Sequence, residues 1–186
     1  MSVVAGYIFY IMTSVKFEAD RINKSKEIAK KIVVSIRNQT VSMFQVLAEK
    51  PHEKFTTFPT EEELSGFLAN KTFVTTVKGK QYIDLSGIVH ERDLHFYLFE
   101  DFPLKSANLQ HSLSVYLDFL DKDMQISFYK HFNSNFFDNF SDRTLAIILT
   151  GQSNKISDFT HGFLVLRQTT LDLIEAYETV YGSIDK

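Results

Sequence analysis

The spacing of apolar positions divides the chain into stretches of different period. Ser2 to Val15 reads SVVAGYIFYIMTSV and carries no charge. From Phe17 to Glu49 there is neither Pro nor Gly. Ile22, Lys26, Ala29, Val33, Ile36, Thr40, Met43 and Leu47 recur there at spacings of three and four, and Ile28, Ile32 and Phe44 widen the stripe. That is the period of an amphipathic helix, here about 50 Å long at about 1.5 Å per residue. The polar run from Asn38 to Ser42 is a point where the helix could stop, leaving a strand from Val41 to Ala48.

Pro51 to Pro59 reads as a loop. Thr60-Glu-Glu-Glu63 has the form of a capping box, in which a hydroxyl and a carboxylate satisfy each other's backbone N–H, and it predicts a short helix through Leu68. The period then changes. Thr72–Val77, Gln81–Val89 and Leu94–Phe99 are rich in β-branched and aromatic residues, with Lys78-Gly79-Lys80 as a turn between the first two, and predict three antiparallel strands. After Pro103 the helical period returns along Leu109, Leu113, Tyr116, Leu117 and Leu120, then along Met124, Phe128, His131 and Phe132, with Asn133-Ser-Asn135 as a bend or an end. Ser141 fits an N-cap for a helix over 142–150 and Gly151 its stop. A last helix starts at Ser157 or Asp158 and ends before Gly182. Its stripe of Phe159, Phe163, Leu166, Thr170, Leu173, Tyr177 and Val180 is heptad-like over about three repeats. The fold class is therefore α+β, mostly helical, with long N- and C-terminal helices framing a small antiparallel sheet. Residues 16–186 form one domain and residues 1–15 stand apart as an apolar segment.

Composition narrows the function classes. The 186 residues include no cysteine, which excludes disulfides, thiolate metal sites and a cysteine nucleophile. Net charge is −3, so no overall field draws the chain to nucleic acid. Positive charge instead collects just after the apolar segment, at Lys16, Arg21, Lys24, Lys26, Lys30, Lys31 and Arg37. Eighteen Phe and eight Tyr with no Trp point to a ring-packed core or, alternatively, to a ring-lined ligand cavity.

The apolar segment has three readings. It is the end of a membrane-embedded helix, the buried start of a helix, or a core strand. At about 14 residues it falls short of the roughly 20 that span a bilayer, and it lacks the basic start of a signal peptide. The cations after it favour the cytoplasmic side of a membrane, against an extracytoplasmic body directly following.

Signatures of phosphate binding, dinucleotide binding, serine hydrolases and zinc peptidases are absent, and the sequence leaves any cofactor unidentified. The densest polar cluster is His90-Glu91-Arg92-Asp93 with His95. On a strand, Asp93 and His95 share one face and His90 the other; a turn at Glu91-Arg92 would gather them as ligands for a small molecule or metal, whereas a solvated turn explains them equally. Lys24, Lys26, Lys30 and Lys31 are candidates for a basic face toward phosphate or anionic lipid. His111 and His131, on predicted helices beside apolar residues, read as residues at the edge of an amphipathic face, and His161 beside Phe159 and Phe163 is a weak haem-ligand pattern.

These features favour a non-enzymatic sensory or ligand-binding module attached to a membrane, signalling through its terminal helices to an unidentified small ligand or protein partner. Helix seams of this length also suit a homodimer. The alternative is a soluble cytoplasmic interaction or adaptor protein with residues 2–15 buried. A third reading is an enzyme built on the His90–His95 cluster.

Overall fold

In a computed structural model that describes residues 3–50, 58–83, 85–140 and 155–184, the polar run Asn38–Ser42 does not interrupt the first helix. Helix α1, Val3–Leu47, is continuous over 45 residues. Its inner stripe is Ser25, Ala29, Ile32, Val33, Ile36, Thr40, Met43, Phe44 and Leu47, all buried. Thr40 stays helical because its hydroxyl has a partner: it lies 3.2 Å from that of Thr170 in the buried interface with the last helix. No strand forms over Val41–Ala48. The helix ends where Glu49 adopts a positive φ of 60°. Lys50 N–H donates to the Gln45 carbonyl at 2.9 Å and Glu49 N–H to that of Val46 at 3.1 Å, a Schellman closure that occupies the last free carbonyls. The Glu49 carboxylate pairs with Lys71.

Helix α2, Glu61–Leu68, starts at the expected capping box, with both Thr60 and Glu63 bonds formed. The sheet has two strands, not three. Strand β1, Thr76–Ile83, pairs antiparallel with β2, Val89–Asp93, placing Gln81 opposite Glu91 and Ile83 opposite Val89. Lys78-Gly79-Lys80 lies inside β1 and is not the turn. The chain reverses instead near Gly87, whose φ of 82° suits a residue without Cβ.

The expected third strand is helical. Leu94–Phe96 form α3 and Tyr97–Asp101 a π-turn, leading directly into α4, Phe102–Ser114. Asp93 starts this segment by accepting the Phe96 N–H at 2.8 Å. Leu94, Tyr97, Leu98 and Phe102 recur at helical spacing and are all buried, so burial on one helical face outweighs the local strand preference of the aromatics.

Helices α5, Lys122–Phe132, and α6, Asn135–Asn139, flank the Asn133-Ser134 bend. A 3₁₀ turn at Ile156–Phe159 leads into α7, Thr160–Tyr181. The predicted stripe on α7 is buried from Phe163 through Tyr177. It packs on α1, α5 and α6 of the same chain, so the heptad-like seam is used internally. The expected loop over 51–57 and helix over 142–150 fall outside the described residues.

Two hydrophobic clusters result. One is rich in Phe, including Phe44, Phe73, Phe102, Phe136, Phe140 and Phe163. Its rings interlock, Phe102 meeting Phe136 edge-on at 5.4 Å and 74°. Such a pair adds about 1 kcal/mol to what area burial contributes. The other joins Ala29, Ile32, Val33 and Ile36 of α1 to Met124 and Phe128 of α5 and to Leu173 and Tyr177 of α7. Both lie along α1 beyond Ser25.

Candidate functional site

The first part of α1 has no core beneath it. From Val4 to Lys24 every residue is exposed, and the large apolar side chains there range from 42% exposed at Ile11 to 72% at Phe17. Residues 3–24 thus project from the body as a helical arm about 33 Å long. The expectations of a core strand or a buried helix start are corrected: the segment is helical and outside the core. The buried stripe begins at Ser25, so Ile22, although in phase with it, stays 51% exposed.

By helical rotation Val4, Ile8, Phe9, Ile11, Met12 and Val15 share one side of the arm and Gly6, Tyr7, Tyr10, Thr13 and Ser14 the other, and neither side is charged before Lys16. Tyr7, Ile8, Phe9, Tyr10, Ile11 and Met12 are consecutive and, at about 100° per residue, cover the whole circumference of the helix. The Thr13 hydroxyl is satisfied within the helix, donating to the carbonyls of Phe9 and Tyr10 at 2.8 and 3.0 Å. Among the described residues no helix is long and apolar enough to cross a membrane.

A collar of cations follows. By helical rotation Lys24 and Lys31 lie on one side of α1 and Lys26 and Lys30 on nearly the opposite one. The four candidate lysines ring the helix and do not share a face. Arg21 pairs with Glu18 at 2.9 Å, and its guanidinium carbon lies 5.3 Å from the ring centre of Phe119. Phe119 and Tyr116 come from the turn after α4, and with Phe17 and Ile28 they wall a hollow of about 440 Å³ where arm meets body. Asp20, Arg21 and Lys24 form its charged lining. Nothing local in the sequence joins Arg21 to Phe119; only the packing of α4 against α1 does.

The His90–His95 cluster is partly gathered. Glu91, Asp93 and His95, with Arg92 and Phe96, line a second hollow of about 440 Å³, while His90 stands opposite Tyr82 in the hairpin register. Two of these side chains have structural work: Asp93 caps α3, and the Arg92 guanidinium stacks 3.9 Å over the Phe96 ring. The His95 ring stacks on Phe99 at 5.2 Å. No group of three or more His, Asp or Glu residues is placed to hold a metal ion among the described residues.

His111 and His161 are exposed. His131 differs from its expected place at the edge of an amphipathic face. It is 3% exposed, with Nδ1 3.3 Å from the Thr169 hydroxyl and Phe132 and Phe137 edge-on to its ring. Burial lowers its pKa to about 4, so it is neutral at pH 7. Tyr97, hydrogen-bonded to Ser42, is raised to about 12 mainly by burial. Neither group is poised to exchange a proton near neutrality.

Comparison of this chain with protein-family models, with curated proteins and with solved structures finds no match.

Proposed function

We propose that this protein is a membrane-attached sensory or ligand-binding module, held by its helical arm and coupled to its body through α1. The observation that carries this reading is an exposed helix that bears no charge from Val4 to Val15 and presents large apolar side chains to solvent. A protein partner covers one stripe of a helix, about a third of its circumference; acyl chains surround it completely. A helix that lies flat at the interface carries a strongly charged face, and Val4–Val15 carry no charge, which favours entry along the bilayer normal. Val4–Val15 reach about 18 Å, enough for one leaflet of a hydrocarbon core about 30 Å thick.

Coupling to the body is mechanical. The arm and the inner stripe belong to one rod without Pro, and that rod packs on α7 over much of its buried length. A ligand that favours one packing of α1 against α7 over another would shift the arm by its difference in affinity.

Flotation with phosphatidylcholine vesicles tests the attachment. The intact chain floats with the vesicles, and Ile8→Glu with Phe9→Glu leaves it at the bottom of the gradient with unchanged circular dichroism. An intact chain that ignores vesicles overturns the reading in favour of a soluble adaptor whose arm docks on a protein.

A further inference from the structure

We infer that the hollow at the base of the arm seats the headgroup of an anionic phospholipid, with Arg21 and Lys24 as its phosphate-facing cations. The inference rests on the membrane reading and adds the lipid class and the residues that select it.

Depth is the first argument. With Val4–Val15 in the hydrocarbon, Phe17 stands about 3 Å beyond it along the helix, inside a headgroup layer about 5–8 Å thick, and Arg21 and Lys24 stand about 9 and 14 Å beyond, at and past its outer edge, with long side chains that lean back toward the helix N-terminus and so toward the phosphates. The hollow starts at that layer and runs outward from it, because Phe17, Arg21, Lys24 and Ile28 recur at spacings of three and four on one side of α1, with Tyr116 and Phe119 facing them.

Charge is the second. Residues 16–31 contain six basic and three acidic side chains, which leaves fourteen basic and twenty acidic in the rest of the chain. A region of net +3 adjoins the apolar arm while the remainder carries −6. An anionic leaflet therefore attracts the collar and repels the body, which orients the molecule as well as holding it.

Chemistry is the third. Glu18 engages one N–H of Arg21 and the Phe119 ring centre lies 5.3 Å from its guanidinium carbon, which leaves further N–H donors to offer a phosphate. Asp20 also lines the hollow and, with Glu18, offsets part of the attraction that Arg21 and Lys24 exert on an anion. Tyr116, Phe119 and Ile28 give the glycerol and upper acyl carbons apolar contact.

The test measures vesicle binding by the full chain on phosphatidylcholine alone and on phosphatidylcholine mixed with phosphatidylserine. The native chain binds the mixed vesicles more tightly, and added salt removes the difference. Arg21→Gln with Lys24→Gln weakens binding to mixed vesicles by about 25-fold, about fivefold for each charge, and leaves binding to phosphatidylcholine alone unchanged. Phe119→Ala, which keeps all charges but removes a wall, weakens only the mixed-vesicle binding. Lys50→Gln with Lys155→Gln is the control: it makes the same change in charge at the other end of α1, about 40 Å away, and has little effect. Equal loss from the control pair, no effect of Phe119→Ala, or equal native binding to both vesicle types overturns the headgroup site while leaving attachment standing. Failure to bind either vesicle overturns the membrane reading itself.

Discussion

Burial of His131 couples a single side chain to the stability of the whole fold. Its pKa is about 4 in the folded protein against 6.5 when exposed, because a charged imidazole among Phe132, Phe137 and Thr169 would lose its hydration. The unfolded chain therefore takes up a proton at a pH where the native one does not. Stability from this residue is complete above pH 6.5, declines as pH falls, and levels off below about 4, where the native state is protonated too. The loss is about 3 kcal/mol. Denaturant titrations from pH 7 to 4 should show a slope that His131→Leu reduces; identical slopes would mean that the imidazole is not buried as described. The sequence displays His131 only as one polar letter near an apolar stripe. Its burial depends on α6 and α7, which meet it from later in the chain.

At the scale of elements, the contact between α1 and α7 turns on two threonines. Thr170 donates to the Leu166 carbonyl at 2.8 Å, so the 3.2 Å contact with Thr40 has Thr40 as donor. Removing the acceptor leaves a buried hydroxyl without its partner, while removing the donor leaves Thr170 still bonded to Leu166. Thr170→Val should therefore cost about 1–2 kcal/mol and Thr40→Val less. The double variant should be no worse than Thr170→Val alone. Unfolding free energies of the four proteins form the cycle; simple additivity would show that the two hydroxyls do not interact. Helical spacing placed both threonines on buried stripes from the sequence alone. Their mutual register across 130 positions is a product of packing. The same contrast explains the mistaken third strand: Leu94–Phe99 has strand-like composition, yet Leu94, Tyr97, Leu98 and Phe102 also fit a helix, and the Asp93 cap with burial against the Phe-rich core decides between them.

For the molecule as a whole, arm and body are separate in energy although joined in one helix. Since no residue from Val4 to Lys24 is buried, a chain starting at residue 16 should fold as the full chain does, with a melting temperature within about 2 °C and without vesicle binding. A large drop in melting temperature would place the apolar segment in the core after all. Exposure of so much apolar surface on one projection is what distinguishes this chain from an ordinary soluble helical domain.

The sequence by itself determined the helices with long regular stripes, the capping box at Thr60, the end of the last helix before Gly182, and the juxtaposition of an uncharged segment with a basic one. These are readable because each depends on residues a few positions apart, whose chemistry acts through one turn of backbone. Tertiary structure decided whether the apolar segment lay inside or outside the core, which histidine was buried, how many strands formed, and that Arg21 meets Phe119. Those outcomes depend on apolar area removed from water between distant segments, a sum that local pattern does not contain.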